Sequence, residues 1–171
     1  MEIADELAVI AEIGIAFAGF MSIFLVFASR DGRFSPADSI QVVIIITSGF
    51  GTVLNALAPL VLHRLLLDAE LALRLSATFT IVIAVLLGIY FEREFRHLRV
   101  QQGSMEAGSR LSQFVGRGGA LVIILLQASV VLWAAGSASP GVYLLALLLG
   151  LIIGASAFVS LAVSRLLSTS Q

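Results

Sequence analysis

Residues 142–164 read VYLLALLLGLIIGASAFVSLAVS, an apolar run without a charged side chain. An α-helix rises about 1.5 Å per residue, and the hydrocarbon core of a bilayer is about 30 Å thick, so about 17–25 apolar residues suffice for one crossing. A segment in lipid has to be helical, because a helix satisfies its backbone hydrogen bonds internally. This run therefore predicts a transmembrane helix.

Four further apolar runs precede it, and together the five fill most of the chain. The start of the chain is acidic and its first run is too long for a cleaved signal peptide, whose apolar part has about 7–15 residues. We therefore predict an all-α integral membrane bundle of five transmembrane helices, with residues 1–171 as a single transmembrane domain. The predicted spans are approximately residues 7–28, 40–62, 74–91, 118–135 and 142–164.

The composition supports this class and excludes several kinds of site. Hydrophobic residues make up 59% of the 171 residues and charged residues only 12%, against about 25% charged in soluble domains. The mean hydropathy is +1.06. The chain has no cysteine, which excludes disulfides and thiolate chemistry. His63 and His97 are separated by a whole span, so we predict no metal site and no cofactor.

The arginines predict the orientation of the bundle. All ten basic residues are arginine, a bias that suggests a GC-rich, bacterial genome. Eight of the ten fall on one side of the predicted membrane, and only Arg64 and Arg74 on the other. Short basic loops stay in the cytoplasm. We therefore predict that the N-terminus lies outside, the C-terminus lies in the cytoplasm, and the protein is a multi-pass protein of the cell membrane, in bacteria the inner membrane.

The connection at residues 92–117 is predicted to be a cytoplasmic loop. Phe91, Phe95 and Leu98 recur at helical spacing, so its first part is expected to continue span 3 as a helix. Glu92 and Arg96 are four residues apart and can pair. The segment could lie against lipid headgroups or dock a partner, and residues 101–104 predict a loop.

Span 5 contains a packing motif of small residues. Gly150 and Gly154 form a GxxxG pair, and Ala157 extends the same face. Small residues at this spacing allow two helix backbones to approach closely in lipid. The face could pack inside the chain or form a subunit interface.

Polar residues from four spans are predicted to share one layer of the membrane. By helical rise, the layer lies roughly 6–12 Å below the outer surface, whereas the inner halves of spans 1 to 4 are almost entirely apolar. These residues could hold the helices together through hydrogen bonds, or they could line an outward-facing pocket. The predicted polar intramembrane cluster consists of Glu12, Asn55, Ser76, Thr80 and Gln127.

Two residues of this layer raise specific expectations. A charge at the centre of a span costs about 2.5–3.5 kcal/mol on insertion scales, so Glu12 is expected to turn inward, with Asn55 as its first-choice partner. Pro59 has no N–H and therefore frees a backbone carbonyl one turn earlier, near Asn55, which then needs another donor.

No catalytic motif is present, so we expect a role other than catalysis. The first hypothesis is a structural, accessory or sensor subunit that acts through helix–helix contacts. The alternative is a small oligomeric channel or transporter that uses the polar layer around Glu12. The expected partners are the lipid bilayer and either further copies of the chain or a larger membrane protein. A nucleic-acid partner is not expected, because the net charge of −1 provides no basic face.

Overall fold

The computed structural model describes residues 3–29, 36–102, 107–133 and 139–168. Almost all of these residues are helical. The all-α class predicted from the apolar runs is confirmed, with five helices in the described ranges. They are α1 (Ala4–Ser29), α2 (Pro36–Leu66), α3 (Ala69–Gln102), α4 (Ala107–Trp133) and α5 (Ser139–Ser168).

Four of these helices contain described stretches that are long and apolar enough to cross a membrane. In α4 the described apolar stretch, Arg117–Leu132, is shorter than the other four. The chain is therefore a membrane-embedded protein. The four long stretches are Ala4–Phe24, Gln41–Leu66, Ala69–Glu94 and Pro140–Val163.

The outside of the bundle agrees with a lipid environment. Phe20, Leu86, Leu125 and Ile152 are each 59–61% exposed. In water, a continuous surface of such side chains would be a large hydrophobic patch, which soluble monomers rarely carry. Against lipid tails the same surface needs no cover.

Helices α2 to α5 form a ring. Helix α2 packs against α3, α3 against α4, α4 against α5, and α5 back against α2. Helices α2 and α4 consequently lie on opposite sides of the ring. Helix α1 stands outside it and packs mainly on α2, with a smaller contact to α5. This arrangement leaves a central space whose walls come from four helices.

A tight turn joins α2 to α3. Leu67 has a φ of 57°, in the left-handed region that commonly ends a helix, and its N–H donates to the carbonyl of His63 at 2.9 Å. Asp68 then caps α3, since its Oδ1 accepts from the backbone N–H groups of Glu70 and Leu71 at 2.9 and 3.0 Å. We call this end of the ring the turn end.

Apolar side chains fill the turn end. One buried cluster joins α1 to the ring there and includes Leu7, Ala56, Ala77, Val130 and Tyr143. A second cluster lies towards the opposite end, where Met21, Ile45 and Leu161 connect α1, α2 and α5. Neither cluster fills the middle of the ring beyond the polar layer.

The predicted 92–117 connection is mostly helix. Helix α3 continues to Gln102 and α4 begins at Ala107, so residues 101 and 102 are helical and not part of a loop as predicted. Its remaining predicted residues, 103 and 104, lie outside the described ranges. The helix outlasts the apolar run because Glu, Arg and Gln are themselves good helix formers.

Candidate functional site

Four polar residues of the predicted cluster are buried in the ring. Asn55 comes from α2, Ser76 and Thr80 from α3, and Gln127 from α4, each 8% exposed or less. The hydroxyl of Thr80 lies 2.7 Å from Asn55 Oδ1 and 2.9 Å from the carbonyl of Ser76, and both are acceptors for its one proton. The Thr80–Asn55 contact ties α2 to α3 at the level of the polar layer.

The carbonyl that Pro59 frees has a donor from another helix. An N–H at position 59 would donate to the carbonyl four residues earlier, which is that of Asn55. Instead the hydroxyl of Tyr143, at the start of α5, donates to this carbonyl at 2.6 Å, and Tyr143 is fully buried. The sequence predicted the need for a donor but missed its source. The sequence did contain one indication of this donor, because Tyr143 places a hydroxyl group about one turn into an otherwise apolar helix.

Two members of the cluster have unpaired polar atoms, Oγ of Ser76 and both amide atoms of Gln127. The side chain of Gln127 is fully buried, yet neither Oε1 nor Nε2 has a hydrogen-bond partner among the described residues. A buried, unpaired polar group costs about 1–3 kcal/mol, and an amide contains both a donor and an acceptor. This is the least satisfied side chain in the interior of the ring.

A cavity of about 220 Å³ lies inside the ring next to these groups. Asn55, Thr80 and Gln127 line its closed end, which the apolar cluster at the turn end seals. Its walls are mainly apolar and come from α2 to α5. They include Ile44, Ile83, Leu87, Ile123 and Ile153.

An ion pair lies where the lining becomes exposed. Glu92 on α3 pairs with Arg117 on α4 at 2.5 Å, and with Arg96 one turn further along α3 at 3.3 Å. The Glu92–Arg96 pair is the one expected from the spacing. Glu92 and Arg117 both line the cavity and are 40% and 47% exposed. The cavity thus opens at the end away from the turn between α2 and α3, whereas the pocket considered as one possibility from the sequence would have opened at the turn end.

Glu12 is not part of the cluster. Its side chain is exposed on α1, a helix outside the ring, and it forms no hydrogen bond or ion pair with another described residue. The expectation that it turns inward to Asn55 is therefore wrong. The reason is helical phase: Leu7, Ala11 and Gly14 form the buried face of α1, and Glu12 lies on the opposite face.

The small residues of α5 face α2 within the chain. A Cβ built on Gly154 would lie 2.7 Å from Ser48 Cβ, and one on Gly150 would lie 3.4 Å from Thr52 Oγ1. Ala157 continues this face and is buried. The close approach lets α5 lie against Ser48 and Thr52 of α2, which form part of the cavity wall.

Among the described residues, no three His, Asp or Glu side chains come together in a way that could hold a metal ion. Comparison of the chain with protein-family models, curated proteins and solved structures finds no match.

Proposed function

We propose that this chain is an accessory or sensor subunit that acts through helix–helix contacts, and that the exposed face of α1 makes the decisive contact. The observation that carries the proposal is the position of Glu12. It follows Ala4, the first residue of its apolar stretch, by eight residues, or about 12 Å of helix. An ionisable group at that depth is costly in lipid, and such residues normally face protein or a water-filled cavity.

The surroundings of Glu12 suit a helix rather than a small ligand. Ala8, Glu12, Ala16 and Gly19 recur along one exposed face of α1, which we call the acid face. A Cβ on Gly19 would meet no atom within 4 Å, so none of the residues that the structure describes occupies the space. Small residues at this spacing permit close approach of a second transmembrane helix.

The chemistry of the acid face favours a partner with a hydrogen-bond donor or a positive charge at the same depth. Two copies meeting through this face would bring two carboxyl groups together, and like charges at close range disfavour ionisation of both. An arginine, lysine or histidine on another membrane protein would pair with the carboxylate instead. We therefore favour a different membrane protein over a second copy.

The acid face can be tested by site-specific photo-crosslinking in the membranes of the source cells. A benzoylphenylalanine at Ala16 should give one discrete cross-linked protein, because the partner helix contacts that position. The same group at Leu125, exposed on α4, is the matched control and should give none. The product at Ala16 should disappear in Glu12→Leu and persist in Ile15→Leu.

Two results would count against this assignment. If Ala16 gave the same product whether or not Glu12 was present, the acid would not be the recognition element. If the product were a dimer of this chain, homo-oligomerisation would replace the different partner.

For placement we propose five crossings, an outside N-terminus and a cytoplasmic C-terminus, in the bacterial inner membrane. The support is the eight-to-two arginine distribution. Helix α4 has 27 residues, which is enough length for a crossing, and the apolar run in the sequence extends over residues 118–135. The turn end then faces out, and the cavity opens to the cytoplasmic side.

Cysteine labelling tests this orientation, and the chain has no native cysteine to interfere. Leu67→Cys, in the exposed turn between α2 and α3, should react with an impermeant maleimide added to intact spheroplasts. Arg96→Cys should react only after the membrane is opened. The reverse pattern would show that the orientation is opposite to the proposed one. Labelling of both cysteines from the same side would show that α3, which lies between them, does not cross the membrane.

A small channel or transporter remains the second candidate, and the cavity is the observation that favours it. Polar groups at its closed end are reached from one side of the membrane. Its seal at the turn end includes Tyr143 and Ala56, so transport would require that seal to open. Ion flux in liposomes from a purified homo-oligomer would favour this function over the accessory role.

A further inference from the structure

The interior of the ring presents a binding site that is separate from the acid face. The cavity is larger than the roughly 150 Å³ apolar cavities that bind benzene, and its closed end contains a polar side chain without a partner. An empty apolar cavity needs no polar group, and a purely structural amide would be paired. The combination indicates a ligand with two chemically different ends.

Gln127 specifies the polar end of that ligand. Its Nε2 can donate and its Oε1 can accept, and neither does so within the described residues. A hydroxyl or a carboxamide on the ligand could satisfy one or both atoms once the side chain turns from its fully buried position towards the cavity. Thr80 donates to Asn55 Oδ1 at the same end of the cavity. Gln127 is the lining side chain whose amide donor and acceptor are both buried without a partner among the described residues, and we take it as the recognition group.

The rest of the lining specifies an uncharged, apolar body. The only charged side chains among the described lining residues are Glu92 and Arg117, and these neutralise each other at the open end. Between them and Gln127 the walls are mainly aliphatic. A charged ligand would lose its hydration there without gaining a counter-ion.

We propose that the cavity between α2, α3, α4 and α5 binds a small, neutral, mainly apolar molecule whose hydroxyl or amide group hydrogen-bonds to the side chain of Gln127. The volume fits about one ring with a short substituent. The ligand enters from the Glu92–Arg117 end, and its polar group reaches the closed end of the cavity.

Two probes of nearly equal shape isolate the polar contact. In 4-fluorophenol a hydroxyl takes the place of the methyl group of 4-fluorotoluene, and both can be titrated against the purified full-length protein in micelles by fluorine NMR. The wild type should bind the phenol at least about tenfold more tightly than the toluene, since only the phenol hydroxyl can form a hydrogen bond with the otherwise unpaired amide. Ala120→Phe, which fills the cavity, should abolish binding of both.

Substitution of the recognition group gives the second readout. Gln127→Leu should bind both probes with similar affinity, and without any probe its Tm should be higher than that of the wild type, because an unpaired amide is replaced by an apolar side chain. Ser129→Ala is the matched control on α4. Its hydroxyl bonds only to the carbonyl of Leu126 within the described residues, at 2.7 Å, so the preference for the phenol should remain.

The proposal is overturned if the folded wild type binds neither probe, if it binds both equally, or if Gln127→Leu keeps the preference. Equal binding is the outcome expected if water alone satisfies the amide. Should Gln127→Leu not fold, the wild-type preference and its loss in Ala120→Phe decide the question. The acid face is not involved in any of these measurements, so their failure leaves the proposed accessory function standing.

Discussion

Gly154→Ile is expected to lower the free energy of unfolding by about 3 kcal/mol, the upper range for overpacking a buried contact. The Cβ alone would lie 2.7 Å from Ser48 Cβ and 3.2 Å from an atom of the Phe17 ring, so α5 has to move away from α2. That movement opens the ring on the side where the two helices wall the cavity. The measurement is the denaturant or thermal midpoint of the purified protein in micelles.

Two variants control for this interpretation. Gly154→Ala should have a smaller effect in the same direction, because only one carbon has to be accommodated. Gly141→Ala lies on the same helix with no atom within 4 Å of the added carbon, and its midpoint should stay close to that of the wild type. Unchanged stability in Gly154→Ile would mean that α5 does not approach α2 as closely as described.

Tyr143→Phe is expected to cost about 1–3 kcal/mol, since it leaves the buried Asn55 carbonyl without its donor. The ring itself is kept, so the loss should come from the hydrogen bond rather than from packing. The same unfolding midpoint in micelles reports it.

The role of Pro59 can be separated by a double-mutant cycle. In Pro59→Ala the restored N–H can donate to the Asn55 carbonyl, so removal of the tyrosine hydroxyl in that background should cost clearly less than in the wild type. A coupling energy near zero would show that Tyr143 does not compensate for the proline, because independent sites add within about 0.3–0.5 kcal/mol. Tyr90→Phe, on the exposed side of α3, is the matched control and should be close to neutral.

The helices could be predicted from the sequence because lipid imposes one rule on every segment. Apolar runs long enough to cross have to be helical. Four of the five runs lie within helices of the structure, and the fourth run, 118–135, is helical as far as Trp133, where the described residues of α4 end. The same rule explains why Asn55, Ser76, Thr80 and Gln127 are buried. Each sits in an apolar helix where its polar group is costly to expose.

The side on which a residue lies could not be predicted in the same way. Glu12 was expected to face inward only because an ionisable side chain is costly to expose to lipid. However, α1 packs outside the ring, and the face of α1 that contacts the ring is the one with Leu7. Which helices close a ring depends on contacts between distant segments, and apolar runs of similar composition carry little information about those contacts. The direction in which the cavity opens was missed for the same reason, because it depends on which end the side chains fill.

The hydrogen bond between Tyr143 and the Asn55 carbonyl also has a consequence for biosynthesis. Translation is vectorial, so α5 leaves the ribosome after the other walls of the ring. Until it arrives, the backbone gap made by Pro59 lacks its donor and the α2 side of the cavity is open to lipid. A nascent chain that has made α2 to α4 therefore holds a polar groove, and the arrival of α5 converts that groove into a cavity walled by four helices. Assembly of the cavity is coupled to synthesis of α5.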